Sequence, residues 1–213
     1  MTGREPVQRD LLGGRTSPSW THFDIPDGQV CLLHSFLPER DAWKLFDTLR
    51  DSVDWRQDEI LTFGRRVRIP RLHRWMSEPG HTYAWSGIVM DSIHWSPEVV
   101  EVRNRLNTLL GANFNGVLLN LYRDGEDCVG WHSDNEAIFG AQPTIASVSL
   151  GEERDFLLRH KTRRDLDVLR ISLEHGSVLL MSGVTQTHWL HSLPRRSRVK
   201  SMRINLTFRQ LIA

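Results

Sequence analysis

Cysteine is nearly missing from this chain. Its 213 residues hold only Cys31 and Cys128, far apart and in no CxxC arrangement. That argues against a disulfide scaffold or a structural zinc ribbon, and fits a reducing, cytoplasmic compartment. Long apolar runs are missing too. No stretch approaches the roughly 20 apolar residues of a membrane span, and the N-terminus has no apolar signal core, so no membrane partner is expected. Excess charge of one sign is also lacking. The chain has 27 Lys and Arg against 26 Asp and Glu, a net charge of +1, so any polyanionic partner has to be met by local clusters. The HExxH helix of zinc proteases does not occur. What remains is 39% hydrophobic and 25% charged, an ordinary globular composition in a length that suits one domain.

Residues 1–20 read as a polar, Gly/Ser/Thr-containing arm without periodicity, expected to be flexible. Residues 21–213 read as a single domain: 21–115 hold helices and a basic, aromatic region, and 116–213 form a strand-rich core. One helix follows Pro38, with Ala42, Leu45, Phe46 and Leu49 on one face. A second has Ser96 as N-cap, Pro97 in its first turn, Val99, Val102, Leu106 and Leu109 as its apolar stripe, and Gly111 as its stop. From Gly116 onward, short apolar or alternating runs recur between turn residues: GVLLNLY, TIASVSL, RDFLLRH, VLRISL, GSVLLMS and SMRINLTFR. Such punctuation reads as a sandwich or barrel. The fold class expected is α+β, mainly β, with the helices packed outside.

The chemistry begins with His132-Ser133-Asp134. If this segment is extended, the imidazole and the carboxylate point to one side. Two histidines and one carboxylate form the facial set that holds non-haem Fe(II) and leaves positions open for oxygen and a co-substrate. The third ligand is His191 or His188, three residues apart, and spacing does not choose between them. A solvated loop is the plainer explanation of a lone His-x-Asp, and zinc is an alternative metal. In the last strand, Ile204, Leu206 and Phe208 point one way and Arg203, Asn205, Thr207 and Arg209 the other. That polar face is either the wet side of a sheet or the lining of a pocket that grips a small dicarboxylate. Asn120 and Tyr122 share one face of GVLLNLY and offer the same pocket further hydrogen bonds.

Residues 62–74 hold Arg65, Arg66, Arg68, Arg71 and Arg74 beside Phe63 and Gly64. Basic side chains neutralise phosphates, and an aromatic tip can wedge between bases. Two further basic runs, 159–164 and 195–200, suggest one positive face. Tyr83 and Trp85 form either an aromatic platform or part of the core.

Taken together, NLYRDGEDCVGWHSDNE, TIASVSLGEERDFLLRHK and HWLHSLP…RINLTFR resemble the AlkB-like oxygenases, nearest to the branch that acts on duplex nucleic acid. The resemblance runs from about Phe63 to Arg209. It implies a double-stranded β-helix (jelly roll), with Fe(II), 2-oxoglutarate and O2 as cofactor and cosubstrates. It implies His132, Asp134 and His191 as metal ligands, which favours His191 over His188, and adds Arg209 to the catalytic set. Asn120, Tyr122 and Arg203 match the residues on the distal carboxylate of 2-oxoglutarate, and Asn205, Thr207 and Arg209 complete that wall. Trp85 resembles the residue that stacks a flipped base against His132. Phe63 and Gly64 resemble a finger that fills the gap in the duplex, and Arg71, Tyr83 and Glu136 belong to the substrate side. Asn135 stands where related duplex-repair enzymes often carry an acid. The activity implied is removal of an N-methyl group from a base such as 1-methyladenine or 3-methylcytosine in DNA, released as formaldehyde by a monomer. A methyl on the pairing edge is out of reach in a stacked duplex, so the base has to be extruded. The rivals are an RNA demethylase, a protein hydroxylase, a non-catalytic nucleic-acid binder, and a zinc or manganese isomerase or hydrolase.

Overall fold

A computed structural model describes residues 19–212 apart from 63, 80–82, 86 and 87. The described chain opens with β1 (Trp20–Phe23) and β2 (Gln29–Leu33), then α1 (Glu39–Ser52). Short strands follow: β3 (Glu59–Thr62), β4 (Arg65–Arg68), β5 (Leu72–Ser77), β6 (Tyr83–Trp85) and β7 (Ile88–Met90). Helix α2 (Pro97–Leu110) precedes β8 (Gly116–Tyr122), β9 (Val129–His132), β10 (Ile145–Gly151), β11 (Arg154–His160), β12 (Leu169–Leu173) and β13 (Val178–Ser182). The chain then makes the short turn α3 (Thr185–His188) and ends in β14 (Trp189–Leu193) and β15 (Arg203–Arg209).

Both helices form where their signals place them. Apolar spacing buries Ala42, Leu45, Phe46 and Leu49 of α1. In α2, Ser96 Oγ accepts the Val99 N–H at 3.4 Å, and Gly111 closes the helix in the left-handed region at φ +61°, where a side chain would be strained. The expected stripe of α2 is one residue too wide: Val99, Val102 and Leu106 are buried, but Leu109 is 37% exposed.

Two antiparallel sheets carry the architecture. One has seven strands in the order β1-β2-β13-β10-β15-β8-β5, the other four in the order β12-β11-β14-β9. On the large sheet, Val117, Leu119, Leu121, Val148, Ile204, Leu206 and Phe208 join the helix residues in one apolar cluster. The opposite face meets the small sheet: Val30, Ile145, Leu179 and Met181 pack against Phe156, Leu158, Ile171 and Trp189. Each such aliphatic or aromatic side chain taken out of water contributes about 1.5–3 kcal/mol. Beyond this apolar end the two sheets part around a cavity. All seven residues of β15 are buried, so its polar face is no wet outer surface. Strands β1 and β2 escape the sequence patterns, because Trp20–Phe23 is too short and mixed to show a period.

The segment after β8 is pinned by backbone. Gly125 N–H donates to Val199 O at 3.0 Å and Arg196 N–H to Gly125 O at 2.7 Å, and a Cβ on Gly125 would collide with the Arg196 carbonyl. Gly125→Ala is expected to cost about 1–3 kcal/mol, because backbone cannot rotate away as a side chain can. A lower urea midpoint with an unchanged m-value would check this.

Candidate metal and oxoacid site

The small sheet brings the two histidines together. His132 ends β9 and His191 lies directly opposite it on β14, with ring centroids 4.2 Å apart. Asp134 follows two residues on. One ligand atom from each of His132, Asp134 and His191 falls within 4.8 Å of the others. His132 Nδ1 lies 2.9 Å from Gly130 O. A carbonyl only accepts, so Nδ1 carries the proton and Nε2 is left with a lone pair, 3.8 Å from Asp134 Oδ1. The His191 imidazole is pushed down to about 3, by burial first and then by the neighbouring His132, so it is neutral and able to ligate. Burial works against ionisation of Asp134, but Arg209 and the two histidines outweigh it and hold its carboxyl well below the usual range. Arg209 is buried beside it and donates to Asp134 Oδ2 from Nη2 at 2.7 Å and from Nε at 3.2 Å. That leaves Oδ1 for a metal.

His188 belongs elsewhere, in a second cluster with Asp27 and His160. There the Arg163 N–H donates to His160 Nδ1 at 3.0 Å. His160 Nε2 therefore bears a proton and faces Asp27 Oδ2 at 3.5 Å. A protonated nitrogen cannot take a metal, so this cluster reads as a packed His–Asp pair.

The cavity encloses about 640 Å³, with His132, Asp134 and His191 on one wall and Asn120, Tyr122, Arg203, Asn205, Thr207 and Arg209 on another. Arg203 is 1% exposed. It donates from Nη2 to Ser149 Oγ at 2.9 Å, while its Nε has no partner among the described residues. Its guanidinium carbon lies 5.2 Å from the Tyr122 ring centroid. Burial pushes its pKa down to about 10. A dehydrated cation with an unmet donor in a polar cavity is a site for an anion. Asn120 Oδ1 accepts from Arg71 Nε at 2.8 Å, which turns the amide NH2 away from Arg71. Asn205 and Thr207 line the cavity and bond to their neighbours on its wall. Asn205 Nδ2 donates to Ser147 Oγ and Val148 O, and its Oδ1 accepts from Thr207 Oγ1. These bonds stiffen the wall.

Two residues escaped the sequence reading. Arg154, 2% exposed, has its guanidinium carbon 5.9 Å from the Tyr122 ring centroid and donates to the carbonyls of Asp124, Asp127 and Pro194. Its only signal was an arginine at an inward position of an alternating strand. Gln186, 2% exposed, gave no signal at all.

On the substrate side, Tyr83 is buried against Trp75 and Phe139, and its hydroxyl donates to Glu136 Oε1 at 3.1 Å. Asn135 is exposed at the cavity rim. Phe63 and the Trp85 side chain lie outside the described residues. Gly64 turns the β3–β4 hairpin at φ +74° with open space around it. The run of five arginines does not stay together: Arg65, Arg66 and Arg68 are exposed on β4, while Arg71 and Arg74 are buried. The other basic runs are partly committed. Arg196 pairs with Asp155, Arg163 with Asp165, and Arg159 lies 4.4 Å from the Trp131 ring centroid.

Residues 29–209 match the model of the 2OG-Fe(II) oxygenase superfamily. The chain belongs to that superfamily. It is 38% identical over 220 residues to the mouse (Mus musculus) DNA oxidative demethylase ALKBH2, covering 99% of this chain and 92% of that protein. It is 36% identical over 189 residues to the human (Homo sapiens) alpha-ketoglutarate-dependent dioxygenase alkB homolog 3, covering 85% of this chain and 65% of that one. A solved structure titled "The structure of OsALKBH1" superposes with a TM-score of 0.57 at 19% identity, over 89% of this chain and all of that one, which supports the fold alone. The protein is thus an AlkB-like oxygenase, a dioxygenase dependent on Fe(II), 2-oxoglutarate and O2. The cavity suits that chemistry. Two imidazoles and an ionised carboxylate are a non-haem iron donor set, and the buried Arg203 guanidinium is suited to a carboxylate.

Proposed function

We propose that the protein removes N-linked methyl groups from bases in DNA by oxidation; its mouse and human relatives are DNA oxidative demethylases. The observation that carries this is the joining of three features in one cavity: the His132–Asp134–His191 set, the buried Arg203, and the Tyr83–Glu136 pair. Bound Fe(II) with 2-oxoglutarate and O2 supplies the oxidising power, yielding succinate, carbon dioxide and a hydroxylated methyl group that leaves as formaldehyde. The protein's own residues do the placing. His132, Asp134 and His191 hold the metal, and Arg209 fixes which Asp134 oxygen faces it. Arg203, with Asn120 and Tyr122, takes the far carboxylate of 2-oxoglutarate, as a guanidinium fork suits a carboxylate. Tyr83, with a hydroxyl raised in pKa chiefly by burial, stays protonated and orients Glu136 toward the base pocket, and Asn135 and Arg71 border it. The β3–β4 hairpin, with its three exposed arginines, meets the backbone; the family resemblance gives Phe63 the gap in the duplex and Trp85 the turned-out base. The two facing antiparallel sheets support a double-stranded β-helix (jelly roll). The three ligands and Arg203 meet in one cavity without a residue from a second copy, so a monomer is the proposed working unit, and the two free cysteines suit a reducing compartment such as the cytoplasm.

Incubation with Fe(II), ascorbate, 2-oxoglutarate and oligonucleotides carrying 1-methyladenine or 3-methylcytosine is expected to give succinate and repaired base in equal amounts by mass spectrometry. His132→Ala is expected to reduce both to background. Full repair by His132→Ala would sink the metal assignment, and turnover of methylated RNA in place of DNA would sink the substrate assignment.

A further inference from the structure

Asp134 is held from two directions. Arg209 grips its carboxylate, and Gln186 grips its main chain. The Asp134 N–H donates to Gln186 Oε1 at 2.9 Å, with both residues buried. Residues 133–136 belong to no strand or helix, so no ladder fixes the Asp134 backbone. Gln186 sits in α3, the turn that runs straight into β14 and His191. One side chain therefore joins the segment carrying one candidate ligand to the segment carrying another. The amide is oriented as well. Gln186 Nε2 donates to Met181 Sδ at 3.5 Å, which leaves Oε1 as the atom presented to Asp134. From outside, Lys161 pins the turn: its Nζ donates to Gln186 O at 2.8 Å and its backbone N–H to His188 O at 2.8 Å. Lys161 lies in a basic run that looks, in sequence, like a phosphate contact, yet its ammonium is turned onto α3.

We propose that Gln186, pinned by Lys161, is a positioning residue for the metal centre: it sets the Asp134 main chain so that the one carboxylate oxygen not taken by Arg209 faces the two histidines. The proposal rests on Asp134 being a metal ligand. With Oδ2 committed to Arg209, only Oδ1 serves the metal, and a small rotation of the 133–136 segment carries it away from His132 Nε2. Partners one step behind a ligand typically change metal affinity by about 10–100-fold when removed. Gln186 reaches the ligand through backbone, so it leaves the ligand set itself unchanged.

The test is Mn(II) titration of the metal-free full chain by calorimetry, with thermal melting in parallel. Gln186→Met keeps the length of the side chain and loses the acceptor, and is expected to weaken Mn(II) binding by about tenfold or more. Gln186→Glu keeps an acceptor oxygen at the same reach and is expected to restore most of that affinity. Wild-type affinity in Gln186→Met overturns the proposal, and so does an equal loss in the Met and Glu variants, which any disturbance of packing would produce. Should Gln186→Met fail to fold, Lys161→Met releases the turn while leaving Gln186 in place: weakened Mn(II) binding supports the proposal, and unchanged binding overturns it. Asp134→Ala separates the two levels. Wild-type affinity there removes the metal assignment and this proposal with it, whereas lost affinity there beside normal affinity in Gln186→Met removes the positioning role alone.

Discussion

Arg209→Leu is expected to lower the stability of the metal-free protein by about 3–5 kcal/mol, the usual cost of removing one partner of a buried ion pair. The pair itself need not be strongly stabilising, since both groups lose their hydration. The damage comes from the half left behind: Asp134, buried and ionised, loses its main cationic partner when Arg209's bonds at 2.7 and 3.2 Å are gone. A divalent ion between Asp134 and the two histidines would then replace the missing charge. Added Mn(II) should therefore raise the melting temperature of the variant more than that of the wild type. The pH dependence carries the same signature. In the wild type the Asp134 carboxyl is held below its unfolded value, so it contributes stability above that value and loses it as pH falls. Leucine at 209 removes that contribution, and the difference between the two proteins should shrink on acidification. Urea melts of both proteins, with and without Mn(II) and at several pH values, measure all of this. A loss of equal size at every pH and at saturating metal would show that Arg209 serves packing alone.

Arg203→Met is expected to behave in the opposite sense. Without 2-oxoglutarate, Arg203 is a buried cation with an unmet Nε and a pKa pushed down to about 10 by burial. A folded-state pKa below the unfolded value means that the charged form weakens folding at neutral pH. An apolar side chain of similar length should leave the melting temperature of the cosubstrate-free protein unchanged or raise it. Binding should suffer heavily. Loss of one partner of a buried, hydrogen-bonded charge pair costs about 2–5 kcal/mol, which at about 1.4 kcal/mol per factor of ten raises the KM for 2-oxoglutarate about 30-fold or more. Lysine should restore little, because a point charge does not reproduce the guanidinium fork. Steady-state kinetics and melting curves with and without 2-oxoglutarate check both halves. A variant that melts early but keeps its KM would place Arg203 in the core and outside the cosubstrate site.

Much of this was legible in the linear chain, for definite reasons. Periodicity of 3.6 and of 2 exposes any element with one apolar face, and both long helices and the strands from Gly116 onward have one. The capped ends of α2 declare themselves through Ser96, Pro97 and Gly111. The alternation of Arg203 to Arg209 separates a core face from a polar one. The pairing of His132 with Asp134 follows from adjacency. Strands β1 and β2, which complete the large sheet, show no such period.

What the chain determines by itself is thus local: the type of each long element, the polar face of β15, and a short list of groups able to bind iron and a dicarboxylate. Spacing leaves His191 and His188 open and the family resemblance favours His191; tertiary structure supplies the reason, because strand register places one opposite His132 and leaves the other beside His160. It alone split the five arginines of 65–74 between surface and interior, and joined Arg209 to Asp134 and Gln186 to the Asp134 backbone across 75 and 52 positions. Such pairings depend on which strands lie side by side. That is set by burial of the whole apolar surface at once, and no short window of sequence contains it.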